Sequence, residues 1–429
     1  MATELLERIL SDENLEEARH KVMSNKGSAG IDRMPVSRLP EYISEHKEEM
    51  KELIRQRRYR PLPVKRVQIP KDDGTKRNLG VPAVKDRWIE QAVCQVLTPI
   101  FEEEFSESSF GFRPGRKAEQ AVVTALEYMN DGYDWIVDLD LTKFFDNVNQ
   151  DILMILVHKV IKDPDVESLV RRFLQGGVIS EGIFEETKVG TAQGSPISPL
   201  LANIYLNEFD RELESRGLHF TRYADDCIIC VKSEAAANRV MASVTRWLRE
   251  HLRVEVNATK SKVTKPNGMK YLGFGFYWKD GKWRPKPHIK SVQKLKYKLK
   301  PLLKRNWGVS LEYRIKKINE VTRGWINYFR IADMKTLMED MDGNIRLHLR
   351  MIIWKQWKTI KKRVVGLRKL GMSKNWAWAY ANTRKGYYVT GLWLSRWIRT
   401  KYLKAKGLLS MADHYHSKHH TIQLQLSVL

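Results

Sequence analysis

Beyond about Trp283 of this 429-residue chain, the alternation of apolar and polar residues that marks strands all but disappears, and Lys/Arg-rich helical periodicity replaces it. The charge changes at the same place. Residues 1–280 hold 41 Lys and Arg against 44 Asp and Glu, a net of −3, whereas residues 281–429 hold 34 against 7, a net of +27. The basic part also holds 9 of the 13 tryptophans. A chain of this length exceeds one ordinary core, so a mixed α/β region followed by a basic, aromatic, helical one is expected. Cations interleaved with flat aromatics suit a surface that tracks phosphates and stacks bases. The stretch "KDGKWRPKPHIK", rich in Gly, Pro and Lys, marks the expected boundary.

Other broad classes are excluded quickly. No apolar run approaches the roughly 18–20 residues of a membrane span, and the acidic, amphipathic start "MATELLERILSDENLEEARH" is unlike a signal peptide. Three cysteines offer no disulfide framework. A reduced, cytoplasmic protein with no membrane partner is expected.

Within the first 280 residues, "NLEEARHKVM" and "EYISEHKEEMKELIRQRRY" have helical spacing, and the loop "SNKGSAGIDRM" separates them. "VKRVQI", "DDGT" and "KRNLGVP" read as a hairpin with a basic tip. Helices are expected from Asp86 to Phe101, from Lys117 to Met129 and over "DILMILVHKVI". "DWIVDLDL" alternates as a strand, and "FTRYADDCIICVKS" reads as two short strands around a tight turn. "KVGTAQGSPISPLLANIYLNEFDREL" is a Gly/Pro-rich loop leading into a helix, "AAANRVMASVTRWLREHL" is a helix and "YLGFGFYW" a strand.

Two acidic clusters carry the chemistry. Asp138 and Asp140 are two apart on a strand and share a face; Asp225 and Asp226 sit at the head of the apolar "CII". Ionised carboxylates against apolar surface are costly unless solvated or paired with cations. Carboxylates from two strand ends, brought side by side, suit a pair of Mg2+ ions that clamp an in-line phosphoryl displacement. A solvated turn beside a solvated strand edge is the plainer reading of the same residues. Small residues around Gln193 admit close approach of a ligand, and Lys71, Lys76 and Arg77 on the hairpin suit a triphosphate.

The ordered blocks "IPKDDGTKRNLGVP", "GFRPGRKAEQA", "DLDLTKFFDNVNQD", "GTAQGSPISPLLANIYL", "RYADDCII", "VNATKSKV" and "YLGFGF" closely resemble the reverse transcriptases encoded by bacterial group II introns. "NKGSAGIDRM" looks like that family's additional first block, and "RGWINYFR" looks like part of its thumb, or maturase, region. The resemblance implies an α+β right-hand polymerase followed by an all-helical thumb. Its expected parts are an N-terminal helical extension (1–60), fingers and palm with an antiparallel sheet (61–282), a helical thumb (283–375) and a basic DNA-binding region (376–429). It implies RNA-directed DNA synthesis from deoxynucleoside triphosphates with two Mg2+, and binding of the intron RNA to promote splicing. Expected partners are the intron RNA, target DNA and an RNA-template/DNA-primer duplex; oligomeric state stays open. A host-adopted enzyme working without an intron would present the same chain.

Residue by residue, the resemblance makes Asp140 and Asp225 metal ligands, with Asp226 beside them. Asp140 is preferred to Asp138 because Phe145, five residues on, matches the family's sugar gate, which Phe144 would help to wall. Lys71 and Arg77 would meet the triphosphate, Gln193 would line the nucleotide pocket, Tyr223 would support the primer end and Lys260 would protonate pyrophosphate. Leu272, Gly273 and Phe274 would form the primer grip, Gly273 letting the backbone approach the strand. Lys294, Lys298, Lys304, Arg305, Arg323, Lys355, Lys358, Lys361, Lys362 and Arg363 would contact nucleic acid. Ser195 and Ile197 stand where many relatives carry Gly and Leu.

Some motifs invite other readings. Cys227 and Cys230 form a Cys-x-x-Cys, but positions three apart on a strand face opposite ways, so buried core thiols are expected. "DHYHSKHH" is expected to be a polar, frayed tail. About half of the Trp residues after Trp307 are expected in the core. No cysteine follows Cys230, so an appended nuclease with paired cysteines is not expected.

Overall fold

The computed structural model describes residues 3–70, 74, 76–180 and 182–426, with side chains described as far as His419. Its chain forms two compact units, Met1–Lys265 and Pro266–Leu429.

The first unit begins with α1 (Glu4–Ile9), α2 (Asp12–Ser24) and α3 (Leu39–Arg55). Thr3 and Ser11 cap the first two through side-chain oxygens. β1 (Val64–Pro70) and β2 (Lys76–Val81) form the expected hairpin, and α4 (Val84–Glu102) follows. α1 and α2 lay Leu6, Ile9, Leu15, Ala18 and Val22 against α4, where the buried Trp88 donates its indole N–H to the Leu15 carbonyl at 2.8 Å.

Then come α5 (Ala118–Asn130), β3 (Trp135–Leu139), α6 (Phe144–Asn147), α7 (Gln150–Ile161) and α8 (Pro164–Gln175). β4 (Val178–Ser180) and β5 (Ile183–Glu185) make a short hairpin ahead of α9 (Ser198–Ser215). β6 (His219–Tyr223), β7 (Asp226–Val231), α10 (Glu234–His251) and β8 (Lys262–Thr264) complete the unit. Two four-stranded sheets result, ordered β2-β1-β4-β5 and β6-β7-β3-β8. Every pairing in the second is antiparallel, with Leu139 opposite Cys227 and Asp138 opposite both Ile228 and Lys262. α10 packs on β3, β7 and β8, while α5 and α9 meet β6. Strands covered this way read as continuous apolar runs, which explains "CIICV".

The second unit opens with a hairpin of β9 (Phe274–Lys279) and β10 (Lys282–Pro287). The stretch expected to separate domains is therefore strand β10. Pro285 and Pro287 are tolerated because a two-stranded sheet consists of edges. α11 (Ile289–Leu302), α12 (Leu311–Tyr328), α13 (Lys335–Gln356), α14 (Ile360–Lys369), α15 (Lys374–Ala381), α16 (Tyr387–Trp393), α17 (Thr400–Ala405) and α18 (Met411–Leu426) follow.

Two expectations about this unit fail. The stretch from Met411 to His419 is not a frayed tail: Asp342 of α13 accepts the N–H groups of Met411 and Ala412 at the start of α18, and Tyr415 donates to the Ala332 carbonyl. Of the eight tryptophans from Trp307 onward only Trp354 is fully buried, and Trp376 and Trp378 are exposed. The aromatic surplus lies on or near the surface.

Candidate active site

The tight turn between β6 and β7 consists of Ala224 and Asp225, with Tyr223 opposite Asp226 at its base. Ala224 takes φ +59°, a region costly for a residue with a side chain. The fold holds it there. Arg222, 1% exposed, donates to both carboxylate oxygens of buried Asp210 at 2.7 and 2.5 Å, to Asn203 Oδ1 at 3.0 Å and to the Ala224 carbonyl at 2.9 Å. From the other side, the loop "SSFGFRPGR" pairs its Phe110 and Ser108 with the Arg222 backbone. A Cβ on Gly111 would stand 2.2 Å from the Ala224 nitrogen, so only glycine permits this approach. Arg113 ties the loop through the carbonyls of Ser106 and Ser109.

Asp140 leaves the end of β3. Leu139 pairs with Cys227, so Asp140 is the first residue past the paired end of β3, as Asp226 is the first residue before Cys227 on β7. Its backbone is fixed on both sides: its N–H donates to Ser261 Oγ at 2.9 Å, and its carbonyl accepts from the Asn257 N–H at 2.8 Å. The Lys260 ammonium lies 3.8 Å from Asp140 Oδ2, with the Asp140 side chain 42% exposed. Asp138 differs. Burial pushes its carboxyl up to about 6; Lys262 offsets this only in part and Asp140 adds to it.

Among the described residues, no group of three or more His, Cys, Asp or Glu is placed to hold a metal by itself. Mg2+ in phosphoryl-transfer sites is held by one or two carboxylates together with substrate phosphates. The hard oxygen donors of Asp140 and Asp225 fit that ion in kind.

A cavity of about 90 Å3 lies in the same unit, lined by Phe145, Gln193, Thr191, Asn78, Gly80 and Arg66 among others. The Gly80 N–H donates to the Gln193 carbonyl at 2.7 Å, tying the "GTAQGSP" loop to β2. Phe145, 9% exposed, forms part of the wall. Phe144 does not: it is 2% exposed and packs edge-on to Phe145 and toward Tyr205, so it is core rather than pocket lining. Arg77 is exposed on β2 opposite Ile69, whereas Lys71 lies outside the described residues.

Beneath the loop, Ser195 donates to a carboxyl oxygen of Glu90 in α4 at 2.7 Å. Burial pushes Glu90 up to about 8, more than the Ser195 bond lowers it. Cys227 and Cys230 are buried, and burial raises both thiols far beyond reactivity, Cys230 to about 12.

In the second unit, the turn before β9 holds Leu272 and Gly273, and their carbonyls accept from Tyr328 and Ser291, each at 2.8 Å. Phe274 is fully buried against Phe329, so it anchors the turn and is not a contact surface. Lys294, Lys298, Lys304, Arg305, Arg323, Lys355, Lys358, Lys361 and Lys362 are all exposed. Arg363 is half-buried instead: it donates to the carbonyls of Trp357 and Ala381 and lies over the Trp354 ring. His414 contacts Asn327, and His419 the Arg330 carbonyl.

Arg222, Asp210, Asn203, Ser261 and Glu90 are the residues that reading the sequence missed. The signal for the first pair was present: an arginine within a strand ending in "ADD", and an aspartate on the apolar face of α9.

Comparison with known proteins agrees with this architecture. A family model described as reverse transcriptase (RNA-dependent DNA polymerase) matches residues 69–276, and one for the group II intron maturase-specific domain matches residues 292–371. Protein YkfC of Escherichia coli is 31% identical over 310 residues, covering 63% of this chain and 81% of YkfC. Group II intron-encoded protein LtrA of Lactococcus lactis is 37% identical over 171 residues, covering 40% of this chain and 28% of LtrA. The putative COX1/OXI3 intron 2 protein of Saccharomyces cerevisiae is 26% identical, covering 53% of this chain and 33% of its own. The chain thus spans about a third or less of the two longer relatives. It belongs to the group II intron-encoded reverse transcriptases and maturases, and its two segments are those associated with group II intron mobility. No helix among the described residues is long and apolar enough to cross a membrane.

Proposed function

We propose that this protein copies intron RNA into DNA during retrohoming and binds the same RNA to promote its splicing. The reading rests most on one observation: Leu139, just before Asp140, pairs with Cys227, just after Asp226, and a buried arginine clamps the adjoining turn. Two Mg2+ ions held by Asp140 and Asp225, with Asp226 adjacent, would neutralise phosphate charge and activate the primer 3′-hydroxyl. That oxygen attacks the α-phosphorus of a deoxynucleoside triphosphate, the bond to the bridging oxygen breaks, and pyrophosphate leaves.

The chain's own groups serve this transfer. Lys260, beside Asp140, gives a proton to the leaving pyrophosphate. Arg77 and Lys71 take the triphosphate, and Gln193 holds the nucleotide. Phe145 rejects a ribose by clashing with its 2′-hydroxyl. Tyr223 bears on the primer, and so does the Leu272–Gly273 turn. The exposed Lys and Arg of the second unit hold RNA and target DNA, which gives the maturase role a surface separate from the aspartates. Bacterial cytoplasm is the expected setting.

An Asp225→Ala protein separates the two roles. It should lose cDNA synthesis while binding its intron RNA and supporting splicing within about twofold of wild type. Equal loss of splicing would overturn the separation.

A further inference from the structure

α14 and α17 flank an open pocket of about 510 Å3, whose Trp357, Lys369, Tyr402 and Lys406 the roles above leave unassigned; its volume is within the roughly 300–1,000 Å3 of ligand sites. Its apolar lining is partly aromatic, made by Trp357, Tyr402 and Leu370 with the exposed Val365 beside them. Trp357 and Tyr402 are both half-buried, so each shows part of its ring to the pocket. A Cβ on Gly366 would stand 2.5 Å from the Trp357 ring. The helix backbone is thereby pressed against the indole, which fixes that part of the lining.

The rim is entirely cationic: Lys361, Lys362, Lys369 and Lys406. Lys406 has Glu312 at 3.7 Å, while the other three have no acidic partner among the described residues. Four ammonium groups around a partly aromatic lining exclude cations and neutral apolar ligands. They match a molecule with a flat ring and anionic groups on either side of it. Duplex nucleic acid offers the phosphates but keeps its ring faces stacked inside. An unpaired nucleotide offers both.

We propose that this pocket takes one unpaired nucleotide of single-stranded nucleic acid, its base against Trp357 and Tyr402 and its flanking phosphates on the four lysines. The proposal rests on the nucleic-acid-binding reading of the basic helices and adds a strand state and a base-stacking subsite to it. Trp357, Lys369, Tyr402 and Lys406 become recognition residues, and the unpaired strand is distinguished from a duplex at this place.

The test uses the full chain and a uridine dodecamer carrying one 5-iodouridine. Photocrosslinking followed by peptide mass spectrometry should place the crosslink within 357–370 or 402–406. Tyr402→Leu should weaken binding of the single strand by about 5- to 30-fold, with blunt duplex affected less than twofold. Lys369→Gln, an exposed change that keeps the fold, should reduce the salt slope of single-strand binding by roughly 0.7. Crosslinks confined to other segments overturn the proposal, and so does equal weakening of single strand and duplex. Competition by polyglutamate as strong as that by the oligonucleotide overturns it too, because it would show an anion site without base recognition. The Asp225→Asn protein should crosslink like wild type. A wild-type protein that crosslinks here yet never extends a primer would contradict the polymerase reading alone.

Discussion

Arg222 lies within a strand whose neighbours are buried, its guanidinium divided among Asp210, Asn203 and the carbonyl of Ala224. Removing one partner of a buried, hydrogen-bonded ion pair leaves a charge without compensation and costs about 3–5 kcal/mol. Arg222→Met is therefore expected to destabilise the first unit by that amount in a denaturant titration, and to lower primer extension further by releasing the φ +59° turn. A loss under about 1 kcal/mol would mean that the turn is held by something else. At this scale the sequence was partly legible. Asp140 and Asp225 stood out because acids at apolar strand ends need a reason. Ser261 and Asn257, which fix the Asp140 backbone, did not, since Ser and Asn in a loop are ordinary turn residues. Phe144 was misread because two adjacent aromatics look equivalent in sequence, while the short helix that begins there turns one of them into the core.

Among the elements, α4 and the loop before α9 are joined by the bond from Ser195 to Glu90. The ordinary carboxyl pKa of Glu90 is 4.5 and burial raises it to about 8 in the fold. The folded protein therefore holds a proton that the unfolded chain has released, and stability falls as pH rises from about 4.5 to 8. For one group fully protonated when folded and ionised when unfolded, the slope is about 1.4 kcal/mol per pH unit. Asp86 and Asp138, each raised to about 6, add to the fall only in the lower part of that window. Glu90→Gln should flatten the stability profile between pH 6 and 8, read from melting temperatures across pH; an unchanged slope would show that Glu90 does not carry it. The strong elements, such as α2, α3, α10 and the β6–β7 hairpin, were legible because their apolar spacing is regular. β10 was not, because two prolines hide a strand that only an edge can tolerate. The β4–β5 hairpin was missed because three-residue strands carry no period.

For the whole molecule, the split into an acidic-balanced first part and a +27 second part was read directly from the sequence. Burial of the tryptophans was not, since composition does not say which face a ring takes. The exposed lysines predict that intron-RNA affinity falls steeply with salt, with a log–log slope of about −0.7 to −0.9 for each phosphate neutralised. A flat response in filter binding would remove the electrostatic account of RNA recognition. The central claim, however, concerns the strand ends of the first unit. Primer extension on an RNA template with deoxynucleoside triphosphates and Mg2+ tests it most directly, comparing wild type with Asp140→Asn and Asp225→Asn. Wild type should extend the primer and each variant should fall by at least about a thousandfold, the scale expected when a metal-holding carboxylate is lost. Extension by either variant within tenfold of wild type would contradict the assignment of this site.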